Sequence, residues 1–418
     1  MVKWIRSNIG TASYEDGVEC SGISIIDVRD IIDRKGNQEL SVMEKIDEAV
    51  LRVRNGEKIV ICCDYGMSRS NAIAVGVLVK TEGLPFIDAV RKVLKTTGEK
   101  QIKVEMLSIV RSALEEASLN SLPIVRNDAI LVTGGTGAIG TALVPHMKTF
   151  ATIFSPSSAE INVAEDSILL DIFVKEHNIS TILHLAGPHV YSTNKAMGET
   201  LLMLRNVIDV CLENRIKLIY ISSWEIYSGY KAQNLMANET LSAMPKGVYG
   251  ETKYLCERLI EHHAGYGLDY AIVRSSPVYG SGDRPKFIYN FIEKALSGCD
   301  VIAHKYLNGF PHLDMVHIDD LVSAMVSIIK NNFSGKVNIG SGKGASTTEV
   351  ADLIIKILSS KSRVRHKQIN DFAPNIIMDI SFAIRKFGWN PQVDLMGGLI
   401  RQVEYYKNFN SKESAYEE

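Results

Sequence analysis

At 418 residues the chain is too long for one ordinary hydrophobic core, and two or three domains are expected. Hydrophobic residues at 46% and charged residues at 22% are the proportions of a soluble globular protein. A formal net charge of −2 exerts no overall pull on nucleic acid or anionic lipid, and no apolar run nears the roughly 18 residues that span a bilayer.

Neither nucleic acid nor a membrane is therefore an expected partner, and the opening MVKWIRSNIGTASYEDG lacks the apolar core of a signal peptide. Cys20, Cys62, Cys63, Cys211, Cys256 and Cys299 show no metal-ligand spacing, so no metal is expected. Two of them are neighbours, which argues against a mutual structural disulfide. They read as free thiols in a reducing cytoplasm.

The first predicted elements are the short apolar strands ISIID (23–27) and KIVICC (58–63). The helical SVMEKIDEAVLRVR (41–54) separates them, and the helical SNAIAVGVLVK (70–80) follows. VEMLSIVRSALEE (104–116) is amphipathic at the helical period, and SLNSLPIVRND (118–128) has the Ser, Asn, Pro and Asp of a joint. The expected division is a first domain over 1–120, a linker over 121–127 and a second domain over 128–418. In the second domain the strands ILVTG, TILHLAG, KLIYISS and YAIVRSS alternate with helical stretches. That alternation predicts a parallel sheet covered on both faces. The polar tail NFNSKESAYEE is expected to fray.

The stretch CCDYGMSRS carries the first candidate chemistry. A buried strand is expected to end at Cys63 and a helix to begin near Arg69 and Ser70. Between them Asp64, Tyr65, Gly66, Met67 and Ser68 would turn backbone N–H groups into a shared concavity, backed by the positive end of the helix. Such a field favours the Cys63 thiolate. Gly66 permits the tight loop, Arg69 can hold two phosphate oxygens, and Ser70 can hydrogen-bond the sulfur when it leaves. These parts suit attack on phosphorus through a cysteinyl-phosphate.

These residues resemble the signature loop of the dual-specificity, protein-tyrosine-phosphatase-like family, over roughly residues 20–117. The family usually places His before the nucleophile, where this chain has Cys62. The resemblance implies an aspartic general acid about thirty residues upstream. Asp33, in IIDRKGN, fits best, Asp30 is the runner-up, and Asp27 is expected to be structural. A loop that only binds a phosphorylated small molecule or protein is the alternative.

TGGTGAIG carries the second. Gly134, Gly137 and Gly140 follow the strand AILVT and open a helix, the arrangement of a dinucleotide cradle. Tyr249 and Lys253 lie one helical turn apart, and Ser222 and Ser223 end the strand KLIYISS. A tyrosine whose proton is loosened by a nearby ammonium is a base at neutral pH.

This combination resembles the extended short-chain dehydrogenase/reductase family of sugar-nucleotide epimerases, dehydratases and reductases, over residues 128–408. Further matches are ILHLAG (182–187), ISSWEIYSG (221–229), IVRSSPVYGSGDRP (272–285), MVHIDDLVSAM (315–325), VNIGSG (337–342) and FGWNP (387–391). The resemblance implies a Rossmann-type doubly wound sheet with a small C-terminal substrate-binding subdomain, NAD or NADP as cofactor, and a sugar or nucleotide-sugar substrate. It also implies a homodimer through the helix carrying Tyr249. Ser223 would polarise the reacting oxygen, Tyr249 would move its proton, and Lys253 would hold the nicotinamide ribose and loosen the Tyr249 proton. The cofactor would touch Gly134, Thr136, Gly137, Ala138, Ile139 and Gly140, then Leu185, Ala186 and Gly187, and Pro277 and Val278.

His184, His317, Asp319 and Asp320 are expected to pack and cap, and His262 and His263 to sit on a solvated helix face. Pro277 stands where many family members have a substrate-binding Asn, and Leu313 where they have a diphosphate-clamping Arg. Arg284 and Lys286 are the substitutes at hand. TIFSPSS offers neither an acid for a ribose 2′-OH nor an Arg for a 2′-phosphate. Glu225 occupies a place where the dehydratase and decarboxylase branches carry a proton-removing Glu; the alternative is a turn cap or a lysine partner. The sequence thus predicts an α/β chain with two activities, a cysteine phosphatase and a sugar-modifying oxidoreductase or epimerase. In the alternative, a phosphate-binding domain without turnover regulates the oxidoreductase. A dinucleotide sensor controlling a phosphatase is disfavoured by the intact Ser223, Tyr249 and Lys253.

Overall fold

The computed structural model describes residues 1–20, 22–32, 39–99, 102–116, 129–165, 167–188, 190–232, 234–280, 282 and 286–414. The chain forms two units, Met1–Val125 with Ile168–Glu176, and Arg126–Ser167 with His177–Glu418. Among the described residues no helix is long and apolar enough to cross a membrane.

The first unit is built on strands β1 (Lys3–Arg6), β2 (Ile9–Ser13), β3 (Ser24–Asp27) and β4 (Ile59–Cys63). They lie in the order β1-β2-β4-β3, with β1 antiparallel to β2 and the other pairs parallel. Its helices are α1 (Tyr14–Val18), α2 (Glu39–Arg54), α3 (Arg69–Glu82), α4 (Phe86–Thr97) and α5 (Val104–Glu116). β4 is Ile, Val, Ile, Cys, Cys, side chains that suit a pleated surface buried on both faces. Because side chains alternate along a strand, Ile59, Ile61 and Cys63 enter the main core, while Val60 and Cys62 join a small cluster with Ala12 on the other face. The two adjacent cysteines therefore occupy different environments.

In the second unit, β5 (Ala129–Thr133), β6 (Thr152–Phe154), β7 (Ile179–His184) and β8 (Lys217–Ser223) begin a parallel sheet. After a one-turn 3₁₀ helix (Trp224–Tyr227) and strand β9 (Leu235–Ala237), β10 (Tyr270–Ser275) rejoins it. α6 (Ala138–Met147), α7 (Ser167–Glu176), α8 (Asn194–Asn214) and α9 (Gly247–Ala264) connect these strands; α7 counts, all but its first residue, with the first unit.

The chain continues through β11 (Val278–Tyr279), α10 (Lys286–Leu296), β12 (Val301–Lys305), β13 (His312–Asp314), β14 (Val316–His317), α11 (Ile318–Lys330) and β15 (Gly335–Ile339). β16 (Gly344–Ser346), α12 (Thr347–Ile357), β17 (Val364–Gln368), β18 (Ile376–Met378), α13 (Ser381–Phe387) and α14 (Leu395–Ser414) complete it. The six-stranded sheet runs β15-β10-β8-β7-β5-β6, all parallel, so the strand order reverses at β5 and β7. The later elements hold a core of their own around Ile288, Phe291, Met315, Val350 and Leu399.

One buried cluster ties α9 to the sheet. Arg274 of β10 and Glu257 of α9 form an ion pair at 2.7 Å with side chains only 4% and 2% exposed. Ser222 Oγ donates to Glu257 at 2.5 Å, and Arg274 donates to the Tyr227 hydroxyl at 2.5 Å and to the Glu239 carbonyl at 3.0 Å. His263, expected on a solvated face, is instead buried, its ring bonded to the Leu259 carbonyl and to Arg205. His262 beside it is exposed, because neighbours on a helix point about 100° apart.

Arg274→Met leaves the Glu257 carboxylate buried and unpaired, which should destabilise the second unit by roughly 3–5 kcal/mol. Glu257→Leu with Arg274→Met should recover much of that loss. Urea unfolding followed by tryptophan fluorescence measures both.

Candidate functional site

The carboxyl ends of β5 and β7 flank the point where the strand order reverses, and a parallel sheet opens its cleft there. The cleft here measures about 810 Å³. The turn after β5 holds Gly134 at φ +72, where a Cβ would stand 2.6 Å from the Ala186 nitrogen, so glycine is required. Gly137 differs. A Cβ there would meet only the Gly134 carbonyl, at 3.3 Å, so its bareness leaves open space in front of the α6 N-terminus. No side chain caps that terminus. Its first N–H groups and the helix dipole suit a pyrophosphate, so the residues present fit a dinucleotide. Ala138, Ile139, Gly140, Leu185, Ala186, Pro277 and Val278 line the same cleft, whereas Thr136 and Gly187 are not among its lining.

Ser223, Tyr249, Lys253 and Glu225 all reach this cleft. Ser223 ends β8, and its Oγ accepts the Glu225 N–H at 3.2 Å, capping the 3₁₀ turn. Burial pushes the Tyr249 phenol well above its usual range, Glu225 and Tyr191 push it further, and the Ser223 hydroxyl opposes them. Lys253 stands one turn along the same helix. The ammonium stands 5.7 Å from the Tyr249 ring centre and gives its N–H groups to the Ile221 carbonyl at 2.8 Å and the Tyr220 hydroxyl at 3.2 Å. Burial also holds Lys253 below its ordinary range.

Burial raises the Glu225 carboxyl as well. Among the described residues nothing donates to that carboxylate. Its backbone carbonyl takes the Ser228 N–H and hydroxyl, so the turn is held by main chain, and no described lysine pairs with the acid. Tyr191, which sequence reasoning missed, lines the cleft with its ring 4.8 Å from that of Tyr249. It follows ILHLAG by four residues, and loops after parallel strands line such clefts, so a signal existed. Leu313 lines the cleft, Arg284 lies outside the described residues, and so does the Lys286 side chain.

The surrounding polar residues are structural. His184 bonds Thr133 Oγ1 at 2.7 Å across the reversal point, and burial with the Lys253 charge drives its ring down to about 3, so it is neutral. His317 caps α11 through the Asp319 N–H, Asp320 accepts the Gln392 and Val393 N–H groups, and Asp319 pairs with Arg401. Among the described residues no group of His, Cys, Asp or Glu is placed to hold a metal ion.

The first unit gathers the other candidates around Cys63. Gly66, at φ +67 with a would-be Cβ 2.4 Å from the Ala12 carbonyl carbon, turns the loop so that its own N–H meets Cys63 Sγ at 3.2 Å. Ser70 Oγ stands 3.4 Å from the sulfur. Burial would raise the Cys63 thiol, but bonds from the Ser70 hydroxyl and the Ser70, Tyr65 and Met67 main chain outweigh it and hold the thiol below its usual value. Among the described residues Cys62 has no such donors, and burial pushes it up to about 12.

Arg69 is buried, donating to the carbonyls of Arg29 at 3.1 Å and Ile31 at 3.0 Å and pairing with Asp64. A phosphate oxygen would share that guanidinium with the Asp64 carboxylate. The Ser68 side chain does not cap α3 but accepts the Lys103 N–H, and Tyr65 and Met67 are exposed on the rim. Asp33 lies outside the described residues; Asp30 is exposed and pairs with Lys45, and Asp27 is held by Arg29.

Residues 130–340 match the family model described as the NAD dependent epimerase/dehydratase family. The chain is 25% identical to GDP-L-fucose synthase 1 of Arabidopsis thaliana, over 66% of this chain and 92% of that one. It is 27% identical to UDP-glucuronate 4-epimerase of Thermodesulfobacterium geofontis, over 59% of this chain and 78% of that one. The solved UDP-glucose 4-epimerase of Thermus thermophilus, a complex with NAD, superposes with a TM-score of 0.60 at 20% identity, over 67% of this chain and 99% of that one.

The two neighbouring thiols should separate chemically. Iodoacetamide should modify Cys63 with a pH midpoint below the ordinary thiol value of about 8.5, and leave Cys62 untouched until far more alkaline pH. Ser70→Ala should move the Cys63 midpoint upward. Fragmentation mass spectrometry of the shared peptide reads both sites.

Proposed function

The chain belongs to the NAD dependent epimerase/dehydratase family, and we propose that its second unit oxidises and re-forms a ring carbon of a nucleotide sugar, with Ser223, Tyr249, Lys253 and Glu225 as the working side chains. The observation that carries this reading is their convergence on the cleft that begins at the glycine turn. NAD or NADP is the cofactor; bound, it takes up and returns a hydride, which no side chain does. Relatives named for UDP-glucuronate and GDP-L-fucose support a nucleotide sugar as substrate class.

The proton work falls to this chain's residues. Ser223 hydrogen-bonds the sugar oxygen and Tyr249 exchanges a proton with it. In the oxidising half Tyr249 takes the hydroxyl proton and so must act there as the phenolate, and in the reducing half it returns that proton; in the free protein burial holds it as the phenol. The Glu225 charge is part of what keeps it so, and a proton on Glu225 therefore makes Tyr249 easier to ionise. Glu225, half-buried and without a partner among the described residues, would take the hydrogen next to a transient ketone. The two groups then act in alternation.

Tyr249→Phe should keep dinucleotide binding and lose about two to four powers of ten in rate. In deuterated water Glu225→Gln should still pass hydride yet fail to exchange the hydrogen beside the ketone, as read by NMR. Exchange at the wild-type rate would make Glu225 structural and the enzyme a plain reductase or 4-epimerase.

The lowered Cys63 thiol supports a second activity, a cysteine-dependent phosphatase in the first unit. The Cys63 thiolate would attack phosphorus, the bond to the leaving oxygen would break, and water would then release phosphate from sulfur. Cys63→Ser should abolish hydrolysis of para-nitrophenyl phosphate and leave dinucleotide binding intact. A wild-type protein that binds phosphate without turnover would instead make this unit a phosphate-binding module.

A further inference from the structure

We propose that the Tyr220 hydroxyl, on the floor of the cleft, positions the Lys253 ammonium. The proposal rests on reading Lys253 as part of the site.

Lys253 Nζ can donate three hydrogen bonds. One goes to the Ile221 carbonyl at 2.8 Å and one to the Tyr220 hydroxyl at 3.2 Å, which leaves one for a ligand in the cleft that Lys253 lines. Tyr220 is 2% exposed, and a phenylalanine would fill that space as well. Its buried hydroxyl would cost stability if it lacked partners. Its oxygen accepts from Lys253.

The backbone places these groups without strain. Tyr220 and Ser222 lie on one face of β8, the face that meets α9. Lys253, Cys256 and Glu257 fall at i, i+3 and i+4 on α9, so they present one stripe to that face. The Tyr220 ring is stacked against His184, 6.1 Å away and tilted 25°, and His184 is tied to Thr133. The ring plane, and with it the hydroxyl, is therefore fixed from the cleft's floor.

The groups facing Lys253 are His184 from β7, Tyr220 from β8, and Tyr249, Cys256 and Glu257 from α9. His184 is neutral, so Tyr220 is the nearest acceptor side chain. Burial already lowers Lys253, and removing an acceptor must lower it further.

The test is a pH titration of the Lys253 Nζ signal by NMR in protein carrying ¹⁵N-lysine, assigned with Lys253→Met. Tyr220→Phe should lower the Lys253 midpoint by roughly one pH unit, the effect of losing one hydrogen bond to a charged group. An unchanged midpoint in Tyr220→Phe overturns the proposal. NADH affinity, measured on the same proteins, separates it from the reading beneath it. If Lys253→Met leaves affinity unchanged, the assignment of Lys253 fails. If Lys253→Met weakens binding while Tyr220→Phe alters neither affinity nor midpoint, only the role of Tyr220 fails.

Discussion

The site in the second unit depends on one buried contact, the ion pair between Arg274 and Glu257. Glu257 stands one helical turn beyond Lys253 and two beyond Tyr249, so whatever fixes Glu257 fixes the rotation of the helix that carries both. Ser222, next to Ser223 in the strand, bonds the same carboxylate. Tyr227, which closes the 3₁₀ turn containing Glu225, bonds the same arginine. Every candidate side chain is thus one or two residues, or one or two turns, from a charge pair that cannot move without leaving a bare ion in the core. That rigidity lets a phenol, a serine and an acid from separate elements share one cleft.

Burial does opposite things in the two units, and hydrogen-bond donors decide which. Cys63 is buried like Cys62, yet a strand end, a glycine turn and a helix start aim donors at its sulfur, and the thiol becomes easier to ionise. Cys62 faces the other side of the strand, meets no donors among the described residues, and is held as the thiol. In the second unit Tyr249 and Glu225 are half-buried, and the Ser223 hydroxyl is too little to offset the burial at Tyr249, so both give up their protons less readily than in water. Where N–H and O–H groups point decides the direction of each shift.

The cysteine loop, the glycine turn, the serine pair and the Tyr-Lys spacing are legible in the sequence because each is local. Every one spans a few residues, and strand and helix periods put them on the page directly. The strands around both cradles fall where apolar runs lie: KIVICC becomes β4 (Ile59–Cys63) and KLIYISS becomes β8 (Lys217–Ser223). Less legible are β1 and β2, whose KWIR and IGTAS are too short and mixed to announce a strand. Nor could periodicity tell that Ile168–Glu176 groups with the first unit.

What the sequence determined by itself is the set of candidates: which cysteine, which glycine cradle, and which serine, tyrosine, lysine and acid, since these depend on residue type and short spacing. Tertiary structure alone decided their state. That Lys253 bonds Tyr220, that Tyr191 lies against Tyr249, and that Glu225 has no donor among the described residues all follow from elements tens of residues apart meeting across a sheet. His263 is buried for the same reason, through Arg205 of another helix. A pKa is set by burial and by neighbours in space, and neither quantity exists until the chain has folded.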